Sequence, residues 1–236
     1  MSTYRMNAAA AGGLYFLGTV FGIGSAVFGG EVVSSIVSST PISTPDFLAT
    51  VAENASQINV GAFFILMMGL SLVAMTIFLY PLFRRDSFEL AMGMVLFRGA
   101  LEGTYYMISV LALLTLVALG HQYLAAGDNS TALQAMGQVL YEFQSFLGPV
   151  GTIAFLIGAT CLYISFYRTK LIPRWLSIWG FVGVVPYMAY ALLHFFHLDN
   201  GIGFYLQMVL APQEMVMGLW LVIKGFDQDA VNRLMA

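Results

Sequence analysis

Arg98, Glu102 and Glu214 are ionisable residues set inside stretches that are otherwise apolar. Arg98 and Glu102 stand four residues apart, so a helix places both on one face. Glu214 lies ten residues before Lys224, at nearly the depth that Arg98 has in its own stretch. One guanidinium and two carboxylates carry a formal charge of −1, and each such group costs roughly 2.5–3.5 kcal/mol at the centre of a membrane helix. A set of this kind can hold a proton on one glutamate, a cation, or a small solute whose acidic group Arg98 orients. It can equally act as a structural clamp, with Arg98 stapling the two stretches together through Glu214.

Helical spacing extends the face. Tyr105 and Ser109 follow Arg98 and Glu102 at i+7 and i+11; further stretches offer Glu142, Ser145 and Thr152, then Tyr187, Tyr190, His194 and His197, then Gln207 ahead of Glu214. These stripes predict a polar funnel that opens outward and ends on Arg98, Glu102 and Glu214, with Tyr105, Gln207 and Glu142 as further binding residues. Pro149, Pro186 and Pro212 sit well inside three successive stretches, where each frees the carbonyl four residues earlier.

His121, His194 and His197 are the three histidines. Together with an aspartate such as Asp128 or Asp199 they are just sufficient for a catalytic zinc, and they are compatible with one haem. That makes a membrane-embedded metal- or haem-dependent enzyme the alternative reading; the expected state is no cofactor, and the residues leave enzymatic activity undecided while leaning against it. Other chemistries lack their residues. No lysine lies within an apolar stretch to form a Schiff base, and neither a P-loop nor a G-x-S-x-G elbow is present. Cys161 is the one cysteine, which excludes an intrachain disulfide.

The elements that must position these groups follow from composition. The 236 residues are 59% hydrophobic and 9% charged, with a mean hydropathy of +0.83; soluble domains carry roughly 25% charged residues. A soluble globule and a disordered chain are excluded, and the net charge of −3 excludes a nucleic-acid partner. Six apolar stretches, near 7–29, 58–83, 88–119, 140–167, 174–197 and 203–224, are long enough to cross a bilayer core that needs about 20 helical residues. The expected fold is all-α: one polytopic membrane domain of six transmembrane helices. The first stretch is read as a span because its apolar run exceeds that of a secretory signal.

Arg5, Arg84, Arg85, Arg168, Lys170, Arg174, Lys224 and Arg233, eight of the nine basic residues, fall on one side of these spans. The opposite loops hold Glu31, Asp46, Glu53, Asp128 and Asp199. Both termini are therefore expected in the cytoplasm. Trp175, Trp179 and Trp220 are expected at the cytoplasmic headgroups. The outer loop 30–57 should begin irregularly and continue as a short helix over 46–55 lying on the outer surface. Gly18, Gly22 and Ala26, and Gly99 with Gly103, form small-residue faces for close helix packing.

Three segments together are familiar: Leu79-Tyr80-Pro81-Leu82-Phe83-Arg84; Phe97-Arg98 with Glu102-Gly103; and Leu162-Tyr163 through Tyr167-Arg168 to Ile172-Pro173-Arg174-Trp175-Leu176-Ser177 and Trp179-Gly180. Over nearly its whole length the chain resembles a bacterial membrane family known only as domain of unknown function 4386. The resemblance implies a six- or seven-helix protein of a bacterial inner membrane, with Arg98 and Glu102 belonging to the family pattern. It implies no activity, substrate or cofactor. The expected partners are the lipid bilayer, a small solute, ion or proton in a transporter-like or sensing role, and either a second copy in a homo-oligomer or a partner membrane protein for which this chain is an accessory subunit.

Overall fold

The computed structural model describes residues 3–38, 46–127, 130–196, 198 and 203–236. Among them the secondary structure is helical throughout, in the order α1 (Thr3–Phe28), α2 (Gly30–Ser38), α3 (Phe47–Glu53), α4 (Ala55–Asp86) and α5 (Phe88–Gly93). A π-helical segment over Met94–Leu101 joins α5 to α6 (Glu102–Ala125). Then come α7 (Thr131–Thr169), α8 (Arg174–Phe195), α9 (Gly203–Gln207), α10 (Leu210–Ile223) and α11 (Gln228–Met235). Six helices are long and apolar enough to cross a membrane, within Tyr4–Phe28, Ala55–Asp86, Phe88–Ala125, Thr131–Thr169, Arg174–Phe195 and Tyr205–Ile223. The protein is a multi-pass membrane bundle.

The spans close a ring: α1 packs on α4, α4 on α6, α6 on α7, α7 on α8, α8 on α10, and α10 back on α1. Small residues set the close contacts. Leu72 and Met68 of α4 lie over Gly18 and Gly22 of α1, and Val73 lies over Gly103. At the end of the ring that carries both termini, the Arg5 guanidinium donates to the carbonyls of Leu221, Val222 and Ile223 at 3.2, 2.8 and 2.8 Å. Those are among the acceptors that a helix C-terminus leaves without intrahelical donors. Phe83 meets Phe166 edge to face at 4.9 Å, and Arg168 pairs with Asp86 at 2.9 Å.

Three departures from the expected spans have local causes. At about 1.5 Å per residue, the 39 residues of α7 exceed a ~30 Å hydrocarbon core. Its first turns instead support α3, where Leu48 presses on Gly137 and Phe47 meets the Tyr141 ring at 5.3 Å. So α3 is packed among the helix ends opposite the termini, with Leu48, Val51 and Ala52 buried, rather than lying on the surface. The start of the outer loop is helical as α2 rather than irregular.

The third departure is in the sixth span, which is broken at Met208–Val209. Pro212 has no N–H to bond the Met208 carbonyl, and it sits in the first turn of α10, where that donor is not needed. The indole N–H of Trp179 donates to the Val209 carbonyl at 3.1 Å, so the polar atom of this tryptophan serves the break. Pro149 and Pro186 leave α7 and α8 continuous.

The backbones of α1 and α10 touch at Gly12 and Gly218. A methyl group on Gly12 would lie 2.5 Å from the Gly218 carbonyl oxygen and 2.5 Å from the Leu221 Cβ, whereas one on Gly13 meets nothing within 4 Å. Gly12→Val should therefore destabilise by about 1–3 kcal/mol or more through overpacking, read as a lower Tm in detergent. Gly13→Val should leave Tm nearly unchanged.

Candidate functional site

The ring is filled at its centre by Arg98. Its backbone sits in the π-helical segment, a geometry with i→i+5 bonds that inserts an extra residue into a turn and recurs at functional sites. Gly158 of α7 makes room for the widened turn: a methyl group there would lie 2.5 Å from the Arg98 amide nitrogen. Thr76 of α4 lies against Gly99 on another side. The guanidinium thus projects from a segment pressed between α4 and α7 towards α1 and α10.

Arg98 and Glu102 are each 1% exposed, and the Glu214 side chain 15%. The Arg98 Nη1 faces both oxygens of Glu102 at 3.4 and 3.3 Å, while Nη2 donates to Glu214 Oε1 at 3.1 Å. The planar cation lies over the Phe155 ring at 4.4 Å and beside the Tyr15 ring at 5.1 Å, so aromatic π-faces cover what the carboxylates do not. Arg98 Nε is buried with no acceptor among the described residues.

Each carboxylate has a second donor. The Tyr15 hydroxyl donates to Glu214 Oε1 at 2.8 Å, and the Tyr106 hydroxyl to Glu102 Oε1 at 3.2 Å. The Tyr163 hydroxyl neighbours that of Tyr15 and donates to Gln213 Oε1 at 3.0 Å. Gln213 in turn donates to the Leu176 carbonyl at 3.0 Å. A polar chain therefore has two hydrogen-bonded runs that meet side by side at two hydroxyls: Tyr106, Glu102, Arg98, Glu214 and Tyr15, then Tyr163, Gln213 and the backbone of α8. Its two carboxylates against one guanidinium leave a surplus acid, the arrangement that can carry a proton.

The other expected site residues lie apart from this chain. Tyr105 is half-buried, its ring packed on Gly151 and 4.7 Å from the Tyr106 ring. Gln207 ends α9 just before the break and is half-buried. Glu142 is exposed and accepts from Gln138 on its own helix at 3.2 Å, facing away from the triad. The inward face of α7 instead carries Gln144, bonded to Ser109, then Gly151, Phe155 and Gly158. In place of an open funnel there are packed rings: Phe155 to Tyr187 at 5.7 Å, Tyr187 to Tyr190 at 6.3 Å, and Tyr190 to His194 at 5.7 Å.

His121 is exposed at the end of α6, and His197, Asp128 and Asp199 lie outside the described residues. Among the described residues no three His, Cys, Asp or Glu side chains gather as a zinc site needs. Among the described residues two concavities stand out: a gap of about 10 Å³ beside Gly69, Gly103 and the Tyr106 that bonds Glu102, and, away from the triad, an open groove of about 470 Å³ at the end carrying both termini.

Tyr15, Tyr163, Phe155 and Gln213 are not singled out by the spacing of the charged residues. Tyr106 could have been, because it follows Glu102 by the same four residues that separate Glu102 from Arg98.

Removing the cation strands two buried carboxylates. Arg98→Met should cost about 3–5 kcal/mol, the range for breaking a buried ion pair from one side. Adding Glu102→Gln and Glu214→Gln to it should restore part of that loss. Thermal unfolding of the single and triple variants in detergent checks the order.

No curated protein and no solved structure matches the chain. One family model does, over residues 10–225, a stretch that holds nearly all of the six spans and every residue of the polar chain. The chain belongs to the family described as a domain of unknown function, DUF4386.

Proposed function

We propose that the bundle holds an exchangeable proton at the Glu102–Arg98–Glu214 cluster and serves a proton-linked task, in transport or in sensing. The observation that carries this reading is the surplus acid: two carboxylates share one guanidinium that is 1% exposed. A buried site compensates charge or neutralises it, and a proton is the one ligand that needs no room among packed rings. Arg98 and the Tyr15 and Tyr106 hydroxyls hold the carboxylates in place; Glu214, at 15% exposure, is the member through which the proton exchanges. The Tyr163 hydroxyl, whose own proton goes to Gln213, lies beside that of Tyr15, so polar groups continue from the cluster towards α8.

The near-complete burial of Arg98 and Glu102 favours a second reading, a clamp that only locks the ring. Infrared spectroscopy of the reconstituted protein separates the two. The proton reading expects a protonated-carboxyl band at neutral pH that shifts in heavy water, and Glu214→Gln should abolish or slow that exchange in a protein that still folds. A folded wild type and a folded Glu102→Gln variant without any such band would leave the clamp.

The eight basic residues outside the core lie in or beside the segments that end at the termini-bearing face, which supports placing that face in the cytoplasm of a bacterial inner membrane. A reporter enzyme active only outside the cytoplasm, fused after Ala236, should be inactive; activity there would invert the orientation.

A further inference from the structure

The groove at the termini-bearing end has a chemistry of its own. It is lined by Lys170, Pro173, Arg174, Trp220, Lys224 and Asp227, over a floor that includes the buried Leu171, Ile172 and Phe226. Two backbone features hold its walls. The Asp227 amide donates to the Leu171 carbonyl at 2.9 Å, tying the α7–α8 turn to the α10–α11 turn. Lys170 at φ 58° and Gly225 at φ 76° make the two sharp reversals that bring these turns together.

The charges in the groove are unbalanced. Lys170 and Lys224 have no hydrogen bond or ion pair from their side chains among the described residues, and both are exposed. Arg174 is partly engaged, donating from Nε to the Tyr167 carbonyl at 3.3 Å and lying over that ring at 4.7 Å; its terminal nitrogens are left for an external acceptor. The one acid, Asp227, uses Oδ1 to cap α11 through the Ala230 amide at 2.8 Å. Three cations against one partly occupied carboxylate make a receptor for a phosphate group.

The surface beside the groove indicates where that phosphate comes from. The flanking faces of α8 and α10 present Trp175, Ile178 and Ile223 at 49%, 49% and 66% exposure. Trp175 stacks with Trp179 at 6.3 Å and meets Trp220 edge to face at the same distance. An aromatic cluster next to bare aliphatic side chains is the pattern of a membrane interface, with apolar surface below and charge above. We propose that this groove is a binding site for the headgroup of an acidic phospholipid, whose phosphate meets Lys170, Arg174 and Lys224 while its acyl chains run along Ile178 and Ile223.

The test is tryptophan fluorescence of the reconstituted full-length protein, quenched by brominated lipids. Brominated phosphatidylglycerol in a phosphatidylcholine background should quench at a lower mole fraction than brominated phosphatidylcholine. Lys170→Gln with Lys224→Gln should weaken that preference by roughly fivefold per lysine removed, with Tm unchanged. Arg84→Gln with Arg85→Gln removes the same charge elsewhere on that face and should leave most of the preference intact. Equal quenching by the two lipids, or an equal loss in both double variants, overturns the proposal by reducing it to general surface charge. Displacement of phosphatidylglycerol by inorganic phosphate at millimolar concentration would assign the groove to a free phosphate and overturn the lipid source.

Discussion

A guanidinium buried at the centre of a membrane bundle must be surrounded, and the ring of helices is arranged around that demand. Arg98 reaches α6 through Glu102, α10 through Glu214, α1 through the Tyr15 ring and α7 through Phe155. No two neighbouring helices could supply this set, so the cation is satisfied only when the ring closes. Helix association in lipid gains nothing from hiding apolar surface, because the tails are as apolar as the side chains. Close packing at glycines and this polar hub supply what the hydrophobic effect would supply in water. The contact of Gly12 with Gly218 and the reach of Arg5 onto α10 close the same seam from the end.

The six spans, their even number and the buried charges are legible in the sequence, since apolar length and the cost of a charge in hydrocarbon act on composition alone. The contact of Arg98 with Glu102 comes from a four-residue spacing. The π-helical segment is not legible: Met94–Leu101 is as apolar as an ordinary helix, and its widened turn lies against Gly158, a residue 60 positions from Arg98. An inserted residue turns the helix before it by about 100° relative to the helix after it, so a face traced along α5 at α-helical period cannot be carried into α6, although Arg98, near the end of the segment, still meets Glu102. Glu142 shows a different failure. Polar residues near the N-terminal end of α7 can face water, because at 39 residues that helix outruns a hydrocarbon core, and the inward register is kept by Gln144, Gly151, Phe155 and Gly158. Tyr15 and Tyr163 are hidden for a simpler reason: a tyrosine in an apolar run looks like packing until a carboxylate is placed at its hydroxyl.

The break in the sixth span bears on how the hub could work. The 14 residues of α10 cover about 21 Å at 1.5 Å per residue, short of the ~30 Å hydrocarbon core, so the part of this span farther from the C-terminus is left to α9 and the break. Irregular backbone at membrane depth survives only where protein or water satisfies it, and the Trp179 indole does so at Val209. Pro212 cannot bond back across the break, and Gln213 and Glu214 are the two residues that follow this proline, inside α10. The start of α10 therefore carries the one partly exposed carboxylate of the triad and the glutamine that continues the polar chain, a little over one turn past irregular backbone.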